Sequence, residues 1–118
     1  GTCPDGPAMQ RWRAQRQQLF NMADAYKRAG MGVEYIPARA KLEQFTASGH
    51  AVFLEQEIRN FPLFGNVQCL LWAMNGASGQ NLNLQPYSDG TYDLLVGKNK
   101  IRSRISSADL LAIAKSLR

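Results

Sequence analysis

The run LNLQPYSDGTYDLLVGKNKIRSRI, residues 82–105, sets the fold class of this chain. Leu82 and Leu84 alternate with asparagines and the segment closes at Pro86, which reads as a strand. Ser88-Asp89-Gly90 is a turn of the Asp-Gly kind. Thr91 to Val96 is the next strand, Gly97 to Asn99 a tight turn, and Lys100 to Ile105 a further strand. The links are too short for crossovers, so these three strands form an antiparallel meander.

Downstream, Ser106 and Ser107 cap a final helix. Ser106 with Asp109 three residues on makes a capping box, and Leu110, Ile113, Ala114 and Leu117 form the apolar stripe. Upstream, Val67 to Met74 is a continuous apolar run. Such a run is either a central strand or a buried helix; its length and the Asn75-Gly76 turn signal favour the strand, followed by a flexible connection over Gly76–Gln80. His50 to Ile58 alternates in polarity and predicts another strand, with a loop from Arg59 to Asn66.

At the N-terminus, Asp5-Gly6-Pro7 is a helix entry. Met9, Trp12, Leu19, Met22, Ala23 and Tyr26 recur near helical spacing, and the helix ends at Gly30 behind Lys27 and Arg28. Gly32 to Pro37 reads as a short extended piece stopped by proline, and Ala38 to Ser48 as a second helix ended by Gly49. The expectation is a single α+β domain over residues 1–118, with N-terminal helices, a mainly antiparallel sheet of four to five strands, and a C-terminal helix.

The chain has 118 residues, 45% of them hydrophobic, which is enough to bury a core and excludes full disorder. No apolar run reaches the roughly 20 residues of a membrane-spanning helix, and no signal-peptide pattern opens the chain. There is no phosphate loop, dinucleotide fingerprint or zinc motif, and Ser78 lacks the G-x-S-x-G setting of a hydrolase nucleophile. Neither a cofactor nor a bound metal is expected.

The net charge of +5 is segregated: residues 1–41 carry +4, residues 42–97 carry −4, and residues 98–118 carry +5. Such a field favours an anionic partner at one surface. On a regular strand Ile101 and Ile105 face inward while Lys100, Arg102 and Arg104 project outward about 6.6 Å apart, a row that repels itself unless an anion bridges it. Lys98 extends the row, and Arg13 and Arg16, three apart on the first helix, widen the basic surface beside Arg11. Tyr87 and Tyr92 flank the hairpin as candidate base-stacking side chains, whereas Trp12 belongs to the apolar stripe. The competing explanation of the basic row is protection of an exposed sheet edge.

Three functions follow. The first is a non-catalytic binding module docking an anionic partner, nucleic acid foremost, through Lys98, Lys100, Arg102, Arg104, Arg13 and Arg16. The second is a small toxin-like enzyme built on His50, the only histidine. As a ribonuclease it would use Glu55 or Glu57 and Arg102 or Arg104, although a regular strand turns both glutamates away from His50; as a thiol hydrolase it would use Cys3 or Cys69. The third is a structural accessory of an envelope or secretion assembly, suggested by the cysteine pair. Bridged, Cys3 and Cys69 imply a periplasmic or extracellular protein; as free thiols they imply a cytoplasmic one.

Overall fold

A computed structural model describes residues 3–118. Among these residues lie five helices and three strands: α1 (Pro7–Arg28), α2 (Gly32–Ala47), α3 (Gly49–Phe64), α4 (Val67–Ser78), β1 (Leu82–Pro86), β2 (Tyr92–Val96), β3 (Asn99–Ile105) and α5 (Ser107–Ser116). The fold is α+β, with a three-stranded antiparallel sheet in the order β1-β2-β3 and a C-terminal helix. The chain divides into two compact units, one formed by Pro4–Val52 and the other by Cys3 with Phe53–Arg118.

The Pro4–Val52 unit is an α1/α2 helical hairpin. Pro7 opens α1 without forfeiting a bond, Lys27 and Arg28 occupy its last turn, and Gly30 takes the left-handed conformation beyond it at φ +69°. Met9, Trp12, Leu19 and Ala23 are buried on one face of α1. The Trp12 ring stacks on Phe45 at 5.7 Å, and its Nε1 donates to the Phe45 carbonyl at 3.3 Å and to Ser48 Oγ at 3.1 Å. Gly49 backs onto that ring, where a Cβ would lie 2.5 Å from Trp12 Cζ2. Gly49→Ala is therefore expected to cost about 1–3 kcal/mol of stability by overpacking. Gly32→Ala, whose Cβ would meet nothing within 4 Å, serves as the near-neutral control. Urea unfolding compares them, and equal midpoints for the two variants would refute the packing argument.

Three expected extended segments are helical. Gly32–Pro37 is the start of α2, which accommodates Pro37 in its second turn. Proline removes one backbone donor there, and the acceptor left over belongs to Val33, which is exposed to water. His50–Ile58 lies in α3, where Leu54, Ile58 and Phe61 are buried at spacings of four and three. Alternation over nine residues coincided with a helical stripe, and Glu55, Gln56 and Glu57 are good helix formers. Val67–Met74 belongs to α4, which runs through Asn75-Gly76 to its left-handed cap at Gly79. Asn66 opens α4 by accepting the Cys69 N–H at 3.1 Å. The sheet thus has three strands, not four or five.

The core of the larger unit joins Leu54, Ile58 and Phe61 of α3, Leu70, Leu71 and Met74 of α4, Leu82, Leu94 and Ile105 of the sheet, and Leu110 and Ala114 of α5. Asn75 fastens β1 to α4. Its side chain accepts the Leu82 N–H at 2.7 Å and donates to the Leu82 carbonyl at 3.1 Å, mimicking a strand neighbour. The capping box of α5 forms as expected: Ser106 Oγ accepts the Asp109 N–H, and the Asp109 carboxylate accepts the Ser106 N–H, both at 3.1 Å.

Candidate binding surfaces

The β2–β3 hairpin is built around Asp93, a buried carboxylate in the middle of the sheet. Two register shifts in the β2–β3 pairing, between Tyr92 and Leu94 and between Leu94 and Leu95, turn donors of β3 toward it. Asp93 Oδ1 accepts the Arg104 N–H at 3.0 Å and the Ser103 hydroxyl at 3.3 Å. Oδ2 accepts the Tyr87 hydroxyl and lies 3.1 Å from Lys100 Nζ. The Tyr87 hydrogen bond is the largest influence holding the Asp93 carboxyl down at about 2, aided by the Arg104 N–H and by Lys100. The same hydrogen bond pushes the Tyr87 hydroxyl up.

Arg104 has φ +54°, the one positive φ at a non-glycine residue among the described residues. The left-handed region costs an arginine about 1 kcal/mol or more. The bond from its N–H to Asp93 offsets that cost, and its guanidinium stacks over the Tyr87 ring at 3.4 Å from the centroid and reaches Asp89 at 3.4 Å. Asp89 is itself drawn below the usual carboxylate range, first by the Thr91 hydroxyl.

The expected row of free cations on β3 is therefore altered by the bulged register. Lys100 and Arg104 keep about half of their side chains exposed, but each is engaged by a carboxylate, Lys100 by Asp93 of β2 and Arg104 by Asp89 of the turn before it. Ile101 is half exposed instead of facing in, while Ile105 is buried. Arg102, opposite Leu94, lies at a shallow depression with Ile105, Asp109 and Ile113. The Ser106 N–H holds the Asp109 carboxyl below its usual range, with Arg102 as a lesser influence. Lys98 occupies the two-residue turn after β2 and is exposed. Neither Lys98 nor Arg102 has a carboxylate within 4.0 Å among the described residues. Tyr87 is committed to Asp93 and Arg104 and so is not a free stacking face.

Arg13 and Arg16 lie in the other unit. Arg13 pairs with Asp5 at 2.5 Å, whereas Arg16 stacks over the Trp12 ring at 4.8 Å and has no carboxylate partner among the described residues. His50 is exposed on the first turn of α3, not on a strand. Glu55 is held by Arg118 at 2.8 Å, and Glu57 is buried beside Gln56, whose Nε2 donates to it at 2.7 Å.

Cys3 and Cys69 form a disulfide with a Cα–Cα distance of 5.8 Å. With both sulfurs in that bridge neither is a thiolate, so the thiol–imidazole couple is excluded for the bridged chain. No group of three or more metal-ligating side chains occurs among the described residues. Protein-family models, curated proteins and solved structures give no match to this chain.

A groove that the sequence analysis does not predict lies between α1 and α2. Two open depressions of about 300 and 260 Å³ share Phe20 and Leu42. Along α1 they run from Arg16 through Phe20 and Ala23 to Lys27, and along α2 in the opposite direction from Thr46 through Leu42 to Tyr35. Phe20 is half exposed at the centre, and α2 buries none of its residues. The sequence signal was present in Phe20, one position beyond the buried Leu19 and outside the inward stripe of α1.

Proposed function

We propose that this chain is a small, non-catalytic binding module for an anionic partner, working in a periplasmic or extracellular setting where disulfides persist. The observation that carries this reading is the balance of ion pairs. Of fourteen lysines and arginines, six pair with carboxylates: Arg13, Arg28, Arg39, Lys100, Arg104 and Arg118. Eight are left without a carboxylate within 4.0 Å among the described residues, including Arg11, Arg16, Lys27 and Lys41 on the helical hairpin. The Pro4–Val52 unit carries seven cations against four carboxylates. Free cations of this kind steer and hold a polyanion. The Cys3–Cys69 bridge supports the oxidising compartment, and no described helix is long and apolar enough to cross a membrane.

Nucleic acid is the second, narrower reading, favoured by Lys98 and Arg102 on one hairpin. Heparin chromatography over a salt gradient tests the general reading, with Arg11→Glu/Arg16→Glu and Lys98→Glu/Arg102→Glu as paired charge reversals. Wild type is expected to elute well above physiological salt, with the α1 double variant leaving earliest. Identical elution of all three proteins would remove the proposal. A labelled single-stranded oligonucleotide tests the narrower one. Its affinity should fall with log salt at a slope of about −0.7 per phosphate contacted, and Lys98→Glu/Arg102→Glu should flatten that slope by roughly 1.4.

A further inference from the structure

The geometry points to the α1/α2 groove as the docking site for an acidic, amphipathic helical segment of another protein, an inference that rests on the anionic-partner reading and names the partner's chemistry. The floor is apolar, made by Phe20, Leu42 and buried Ala23. Phe20 leaves half of its surface in water at the centre of that floor, a cost that burial against an apolar stripe would recover. The ends are cationic: Arg16 at one and Lys27 at the other, neither held by a carboxylate among the described residues. The carboxylate and second guanidinium that line the groove are already engaged, Asp24 by Arg28 at 2.7 Å and Arg39 by Glu43 at 3.0 Å.

Arg16 and Lys27 are eleven positions apart, about 16 Å along a helix axis, or three turns. An occupant helix of about that length, with carboxylates at both ends and apolar residues at i, i+3 or i+4, and i+7 between them, satisfies floor and ends together. A second copy of this chain fits less well, because it would set one excess of three positive charges against another. Nucleic acid would satisfy the two cations and stack on Phe20 and Tyr35, the two aromatic rings lining the groove, but would leave the aliphatic side chains of Leu42 and Ala23 unused.

The test uses the full-length, disulfide-intact protein and a fluorescein-labelled, end-blocked peptide of about 18 residues, with leucines at helical spacing and glutamates at both ends. Control peptides exchange the glutamates for lysine or the leucines for serine. Fluorescence anisotropy is expected to give saturable binding of the acidic peptide, weakened about tenfold or more by either exchange and by Phe20→Asp or Arg16→Glu/Lys27→Glu in the protein. Far-UV circular dichroism confirms that the variants fold. Equal affinity for the lysine peptide, or binding indifferent to Phe20→Asp in a folded protein, overturns the inference. A dimer by light scattering that Phe20→Asp dissolves overturns it in favour of a second copy. Oligonucleotide binding that requires Phe20 overturns it in favour of nucleic acid. If the peptide fails while heparin retention persists, the groove assignment falls alone; if both fail, the anionic-partner reading falls with it.

Discussion

Breaking the Cys3–Cys69 bridge is expected to lower the stability of the chain by about 4 kcal/mol. The two cysteines are separated by 66 positions, so the bridge closes a loop containing α1, α2 and α3 in full. A crosslink of that span removes loop-closure entropy from the unfolded chain, and the logarithmic dependence on loop length gives about 4.3 kcal/mol at 25 °C. Domains of this size are stable by roughly 5–15 kcal/mol, so the bridge supplies a large share. Its inner anchor is firm, because Cys69 is buried in α4 one turn beyond the Asn66 cap. Urea unfolding with and without reductant measures the effect. At a slope of about 1.5 kcal/mol per molar urea, the midpoint should fall by roughly 2–3 M. Cys3→Ser should reproduce the loss without reductant, which separates the crosslink from side effects of the reagent. An unchanged midpoint in both experiments would show that the bridge contributes nothing. A large fall ties the folded state to an oxidising compartment, since a cytosolic copy would forgo that share of its stability.

The parts of the fold legible in the sequence were those whose signals are local. Pro7 and the basic last turn located α1, the Ser106/Asp109 box located α5, and the Asp-Gly turn with the short Gly97-Lys98 link located the hairpins. The segments misread as strands were those whose fate depends on packing. Val67–Met74 is apolar at every position but Gln68, because Trp72 on the exposed face of α4 is apolar as well as the residues in the core, so no periodicity separates a helix from a central strand there. The local cue that marks the helix is Asn66 as its cap, and Asn75-Gly76, a turn signal by type, lies inside the helix. The cations of β3 were placed in the right segment, but their partners were not foreseeable. Asp93 is in the facing strand and Asp89 in the preceding turn, and only the bulged register brings Lys100 and Arg104 to them. The α1/α2 groove was hidden for a related reason: it exists only once Phe20 and Leu42 are brought together by two helices.

Asp93→Asn is expected to lower the thermal midpoint by on the order of 10 °C, more than any substitution of an exposed carboxylate such as Asp89→Asn. The carboxylate accepts from four donors, and an amide of the same shape offers one acceptor oxygen and two N–H groups. The amide nitrogen must therefore face donors, either the Arg104 N–H with the Ser103 hydroxyl or the Tyr87 hydroxyl with Lys100. The Arg104 backbone N–H cannot turn away, so the amide oxygen stays on that side and keeps the bond that compensates the positive φ, while the amide nitrogen faces the Tyr87 hydroxyl and the Lys100 ammonium, which lose their acceptor and the ion pair. The pH dependence gives a second, independent reading. Asp93 titrates at about 2 in the folded protein against 3.8 ordinarily. A depressed folded value means that its contribution is complete above about 4 and is lost as pH falls toward 2, because the unfolded chain then takes up the proton first. Wild type should lose stability across that window, and Asp93→Asn should lose less, the remaining acid limb coming from carboxyls such as Asp109 and Asp89, which are also held low. Thermal melts from pH 2 to pH 7 on both proteins measure the difference. Parallel acid limbs would show that Asp93 ionises no more readily in the folded protein than in the unfolded chain. A flattened limb would show that the ionised Asp93, held by the Tyr87 hydroxyl, the Arg104 N–H and Lys100, ties the hairpin together, which leaves Lys98 and Arg102 as the cations there without a carboxylate of their own among the described residues.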